Sequence, residues 1–329
     1  MKKFICLILA ALTTLAFTGC SCSGSSSSVS PEGSYWLNNS NVIEVPTGFT
    51  ESAEYSLSVK NTGDIKLTIE SGAYGYTLKS VTLPEDTTNT LYYELTTSFT
   101  LKGSYNYKNT DYPVDDAISS TVIFKGVNEK LKPTSSVKTI KCTSPVLNEN
   151  GKFEFKNYDF GYVIDYTAGS GKHAVVTYTD NTADKNANLP EQKEFKKYFS
   201  SAFCENELLM LYPRTFKRSS SFGTTVTVLN ASNQTKEKIK LSIGSFEAKV
   251  TDTLWGEILV DTVNFTKTGT YAGIPITAYY ASNQGKKLDN GNRVNQSRLK
   301  HAMVKMQTGI AGVGTLTYTL TSFNNSQNA

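Results

Sequence analysis

Histidine is nearly absent: His173 and His301 are the two in 329 residues. Histidine-based acid–base or metal chemistry would therefore have to be built on one or both of them. Neither has a second histidine four residues on or a carboxylate at metal-ligand spacing, so each reads first as a turn residue at a strand start. No Gly-x-Ser-x-Gly turn occurs, which removes the nucleophile elbow of one large hydrolase class. No dense basic tract occurs either. The lysines are scattered, with short pairs such as Lys196-Lys197 and Lys286-Lys287, and the formal charge is only +4. Such a surface does not track phosphates, and no nucleic-acid partner is expected. Apolar runs are short. The longest, Phe4 to Phe17, has about 14 residues against the roughly 20 that a bilayer-spanning helix needs.

That run lies in a recognisable place. Met1-Lys2-Lys3 precedes it and Thr18-Gly19-Cys20 follows, the layout of a secretory signal with small residues at the cut. The cleavage region resembles a lipoprotein signal, with Phe17 where that family usually carries Leu. The resemblance implies cleavage before Cys20 and lipidation of its thiol. Residues 20–32, rich in serine, then form a flexible tether, and loss of Lys2 and Lys3 lowers the formal charge to +2. The expected address is the cell membrane or outer membrane, lipid-anchored and outside the cytoplasm. Of five cysteines, Cys6 leaves with the signal and Cys22 sits in the tether. Cys142 and Cys204 remain, either as a pair or as two packed thiols.

The body, residues 33–323, is dominated by apolar residues on every second position, the mark of half-buried strands. Tyr55, Leu57 and Val59 alternate, Asn61-Thr62-Gly63-Asp64 turns, and Ile65, Leu67 and Ile69 alternate again. The pattern recurs through Leu91–Tyr107, Ala117–Phe124 and Phe153–Tyr166, and later through Ile239–Ile243, Ile274–Tyr280 and Leu316–Leu320. Thr and Tyr suit such a pleated surface. The fold class is mainly β: one or more large, curved antiparallel sheets, half-barrel or barrel-like. Possible halves span 33–180 and 220–323. Between them Pro190 to Tyr212 breaks the period, with aromatic and apolar residues near helical spacing and Pro213 as a stop, which predicts one or two short helices. These act as a plug in the open end of the sheet or as a lid over a cavity. Residues 324–329 are expected to be a disordered tail.

Several stretches invite a chemical reading and give a plainer one. Gly169-Ser170-Gly171-Lys172 lacks the earlier glycine and the Ser/Thr after lysine of a phosphate loop, so it reads as a hairpin turn. Asp115-Asp116 would point to opposite faces of a strand and is read as turn chemistry and solvation. Tyr92, Tyr93, Tyr105, Tyr107, Tyr162, Tyr166, Tyr271, Tyr279 and Tyr280, with Trp36 and Trp255, either line a concave site or fill the core.

Leu131-Lys132-Pro133, Ser135-Ser136-Val137-Lys138, Glu205-Asn206-Glu207-Leu208-Leu209 and Ile243–Val250 fall in order. So do Ala278-Tyr279-Tyr280-Ala281, Met303–Met306 and Tyr318–Ser322. Together they cover most of residues 50–323, and in that order the chain resembles the exported bacterial family known as domain of unknown function 3108. Tyr212-Pro213-Arg214, which interrupts the helix early, and an apparent insertion at Lys286–Lys300 depart from that pattern. The resemblance implies export and a curved β half-barrel or small barrel with a helix after its first half. It implies no mechanism. The sequence offers no catalytic residues, no metal ligands and no cofactor. It leads to a non-enzymatic, monomeric, membrane-tethered binding protein for a lipid, a glycan or an envelope protein, or alternatively to a surface scaffold without a small-molecule site.

Overall fold

The computed structural model describes residues 48–84, 86, 92–125, 131–171, 173–182, 188–196, 203–215, 218–268, 276–282, 299 and 301–326. The signal (1–19), Cys20, the tether, Trp36, Tyr271 and most of Lys286–Lys300 lie outside them. Among the described residues no helix is long and apolar enough to cross a membrane.

Fifteen strands make one sheet. In chain order they are β1 (Thr50–Asn61), β2 (Lys66–Val81), β3 (Tyr92–Tyr107), β4 (Thr110–Lys125), β5 (Lys132–Leu147), β6 (Phe153–Asp165), β7 (Ala174–Asp180) and β8 (Gln192–Phe195). After the break come β9 (Phe203–Cys204), β10 (Gly223–Asn230), β11 (Thr235–Val250), β12 (Ile258–Thr268), β13 (Ile276–Ala281), β14 (Met303–Ile310) and β15 (Gly314–Asn325). The first eight form a meander running one way from β1, the last seven a meander running the other way. The sheet is joined at its centre where β1 pairs antiparallel with β15, from Glu51↔Asn325 to Asn61↔Gly314. All ladders are antiparallel except the short β9–β10 contact. β15 continues as strand through Asn325, so residues 324 and 325, placed in the tail from sequence, belong to the ladder.

Local chemistry fits this plan. Lys108 and Asn109 both have positive φ (53° and 61°), as a two-residue type I′ hairpin between long strands requires. Along β4 the residues Val114, Asp116, Ile118, Ser120, Val122 and Phe124 are buried while Asp115, Ala117 and Ser119 are exposed, an alternation that gives the sheet one dry and one wet face.

The sheet is curled almost shut. The Tyr178 hydroxyl on β7 donates to the Ala231 carbonyl, just after β10, at 2.9 Å. Those strands stand twelve places apart in the sheet order, which in a flat sheet would separate them by roughly 58 Å. Lys193 Nζ on β8 donates to the Gln234 carbonyl, and Gln234 Nε2 to the Asn188 carbonyl. The seam is thus bridged by side chains rather than by a strand ladder, and the architecture is an unclosed, barrel-like sheet.

Tyr93, Tyr105, Tyr162, Tyr166 and Tyr280 all point into the dry interior and are buried. They fill the core, and Tyr55, Tyr74 and Tyr318 pack ring against ring among them. At one end Phe155 stacks on Tyr112 with centroids 3.9 Å apart, beside Tyr105 and Tyr107. Phe153 lies over Gly312 in the β14–β15 turn, where an added Cβ would stand 2.5 Å from the ring. The β5–β6 hairpin thereby leans across the mouth of the barrel and closes that end.

Candidate functional site

The region expected to carry one or two short helices is strand in its first part and has two short 3₁₀ helices at its end. Pro190 leads into β8, which pairs with β7 at Ala174↔Phe195; burial of the Phe195 ring at that edge outweighs the helix-initiation signal. The only helical turns in the described part of 190–212 and just beyond are two of 3₁₀ type, Glu207–Met210 and Tyr212–Thr215. Pro213 explains the tight winding, since it supplies no N–H and disfavours α geometry in the residue before it. Leu211 N–H bonds to the Leu208 carbonyl and Arg214 N–H to the Leu211 carbonyl, both three residues back.

This segment, Cys204 to Thr215, runs inside the barrel, and Arg218 beyond it is buried there too. Every residue from Cys204 to Thr215 is buried. Of the two readings that the sequence left open, the geometry is that of a plug. Leu208, Leu209, Met210 and Leu211 fill the apolar lumen.

Its charged residues bind the wall. Arg214 makes a two-pronged pair with Glu51 on β1 (2.6 and 3.0 Å) and reaches the Tyr76 hydroxyl at 3.2 Å; Tyr76 donates to the same carboxylate, as does Asn325 Nδ2. Arg218 Nε donates to Asp261 on β12 at 3.0 Å and Nη2 to the Ala281 carbonyl at 3.0 Å. The same Nη2 lies 2.7 Å from Nδ1 of His301. Burial and the two nearby arginines hold that imidazole well below its usual range, so it is neutral and Nδ1 accepts. Burial likewise lowers Arg218, against the pull of Asp261. Lys138 on β5 donates to Glu207 at 2.6 Å, with both side chains about 95 % buried or more. β5 and β12 are eight places apart in the sheet, yet both bind this segment. Polar backbone is served too: the Tyr280 hydroxyl donates to the Met210 carbonyl at 2.9 Å, and Glu205 Oε2 accepts from the amides of Glu207 and Leu208.

The cavity between Tyr76, Leu95, Met210, Leu211, Arg214 and Met303 has a volume of about 10 Å³, about the space of one water molecule.

The residues singled out from sequence fall apart in space and in kind. His173 stands before β7 with Nδ1 2.7 Å from Glu194 on β8, partly exposed, while His301 is deep in the plug network. Gly169–Gly171 belong to the short helical turn α1 (Ala168–Gly171) that joins β6 to β7. Asp115 and Asp116 lie within β4, not in a turn. Asp115 is exposed beside Lys141 and Lys102, which hold it below its ordinary value. Asp116 faces inward and accepts from the Thr143 amide at 2.8 Å. Burial pushes its carboxyl up to about 7. Cys142 and Cys204 are separate buried free thiols. Among the described residues no group of three or more His, Cys, Asp or Glu is arranged to hold a metal.

Sequence reasoning missed Glu51, Lys138, Arg214, Arg218 and Asp261. A signal existed for two of them: Glu51 shares the inward phase of Ala53 and Tyr55, and Lys138 that of Ser136 and Ile140. Arg214 and Arg218 lie where no period runs.

No protein-family model matches the chain, and what stands of the resemblance read from sequence is the barrel-like architecture itself. No curated protein matches. Among solved structures, the chain is similar to a "Beta-barrel-like Protein of Domain of Unknown Function DUF1849 from Brucella abortus". The identity is 8%, the TM-score 0.48, and the alignment covers 84% of this chain and 98% of that one.

Proposed function

We propose that this chain is a non-enzymatic, lipid-anchored envelope protein, tethered through Cys20 outside the cytoplasm, that works through its outer surface as a scaffold for an envelope partner. One observation carries the choice between scaffold and ligand carrier. The space that an apolar guest would occupy holds the chain's own Leu208-Leu209-Met210-Leu211, pinned by three buried ion pairs. A carrier of lipid-sized molecules needs a pocket of roughly 300 Å³ or more, and about 10 Å³ lies beside Arg214. The outer face supports the reading: Thr121, Val137, Val163 and Thr177 stand side by side across β4 to β7, and Val137 and Val163 are about half exposed.

Mass spectrometry of the full chain, purified from membranes of its native host, tests both parts. The expected result is an acylated Cys20 as the first residue and no other lipid retained at stoichiometric level. An intact segment 1–19 would overturn the anchor, and a co-purifying apolar molecule in equal amount would overturn the scaffold.

A further inference from the structure

Among the described residues of the plug network carboxyl groups outnumber cations. Lys138, Arg214 and Arg218 supply three positive charges, and each is committed at 2.6 to 3.0 Å to one partner: Glu207, Glu51 and Asp261. Glu205 is the fourth carboxyl, two residues from Glu207 and equally enclosed, and Lys138 makes its ion pair with Glu207 instead. The groups that face Glu205 are Glu207 and Cys204 on its own segment, Lys138 on β5, Tyr162 on β6 and Tyr166 just after it. One cation among them serves two carboxyls. A second buried negative charge there would be uncompensated, which costs several kcal/mol in a dry interior.

We propose that Glu205 is a proton-operated latch: it is a neutral carboxylic acid while the plug is seated, and its ionisation in mild alkali loosens the Cys204–Leu211 end of the plug. The two oxygens divide the work. Oε2 accepts from the amides of Glu207 and Leu208 at 2.6 and 3.3 Å, capping the first 3₁₀ turn. Oε1 accepts weakly from the Tyr166 hydroxyl at 3.5 Å, and as the oxygen without an amide donor it is the one free to take the proton. When that proton leaves, the new charge repels Glu207 and competes for Lys138, whose ion pair ties this end of the plug to β5. Burial first, and Glu207 second, push Glu205 up to about 8, against the amide bonds and Lys138. The Arg214 and Arg218 ties contain no spare carboxyl, so that end stays fixed and the movement is confined to one side of the barrel. This goes beyond the scaffold reading and does not depend on it.

The test uses the full chain and follows thermal midpoints from pH 6.5 to 9.5 together with peptide-resolved thiol labelling of Cys204. In the unaltered protein the midpoint falls across this range, and Cys204 labelling rises at least tenfold more than its thiolate fraction does. Glu205→Gln, which mimics the neutral acid, keeps the pH 7 midpoint within about two degrees, flattens the fall and leaves Cys204 protected at pH 9.5. Glu207→Gln, by contrast, lowers the midpoint already at pH 7. A Glu205→Gln protein destabilised at pH 7 as much as Glu207→Gln would overturn the proposal, as would an unchanged alkaline fall. Should the variant fail to fold, carboxyl carbon-13 shifts of the unaltered protein decide: a Glu205 signal that titrates above pH 7 supports the latch, and one already ionised at pH 7 refutes it.

Discussion

Wall and plug of this barrel are held by opposite means. The wall is a run of backbone ladders with apolar side chains inside, so each residue depends on its neighbours and on burial. The plug has scarcely any ladder, only the two-residue β9, and relies on side chains reaching from β1, β5 and β12. Burying an ion pair is seldom better than burying hydrocarbon of the same shape, but breaking one is expensive. A segment tied this way is therefore set in one register rather than made more stable. The apolar wall tolerates approximate packing, whereas the plug tolerates few changes at a handful of points.

Substitutions sharpen that contrast. Arg214→Ala leaves the Glu51 carboxylate buried without its guanidinium and should cost about 3–5 kcal/mol in urea unfolding. The double variant Glu51→Leu, Arg214→Met should recover most of that loss, and a double variant as weak as the single would show that the pair itself supplies stability. In the wall, Leu316→Ala on β15 removes a fully buried side chain and should cost about 3 kcal/mol, from lost burial and the cavity left behind.

Per pH unit, a smaller effect comes from one buried carboxyl of the wall. The Asp116 carboxyl is raised in the folded state from 3.8 to about 7, so the folded chain binds its proton more tightly than the unfolded one. Its contribution is fully present below pH 4 and is lost as pH rises through 7, with a slope of up to about 1.4 kcal/mol per pH unit. Asp116→Asn should remove this slope from stability measured between pH 4 and 7; an undiminished slope would mean that the carboxyl is ionised when buried. Least of all, Val163→Thr on the outer face of β6 should shift stability by no more than about 0.5 kcal/mol. A larger loss there would mean that the exposed Val137–Val163 pair is already covered by something in solution.

The same contrast explains what could be read from sequence. Strands such as Tyr55–Val59 and Leu316–Leu320 announce themselves because a period of two is a local property, and the curved β architecture follows from enough of them. The plug does not, because its identity lies in partners 69 and 163 residues away: Lys138 for Glu207, Glu51 for Arg214. Aromatic and apolar residues from Phe195 to Leu211 fall near helical spacing, yet Phe195 is strand and Leu208 and Leu209 lie in a single 3₁₀ turn that fills the lumen. Of the tyrosines that sequence left between site and core, Tyr93, Tyr105, Tyr162, Tyr166 and Tyr280 fall inside, where large rings fill the barrel, while Tyr107 and Tyr279 are only half-buried. Asp116 misled for a related reason: charge suggests solvent, and only the inward phase of Val114 and Ile118 reveals its burial.

The central β1–β15 ladder joins the first described strand to the last. As the polypeptide is made from its amino end, β1 can pair with β2 at once, but its other edge stays bare until Gly314–Asn325 has emerged. For nearly the whole of synthesis the nascent chain thus exposes an unmatched row of amides and carbonyls, a template for any neighbouring strand. Truncation near the carboxyl end should therefore leave the protein prone to aggregate long before it removes much of the core.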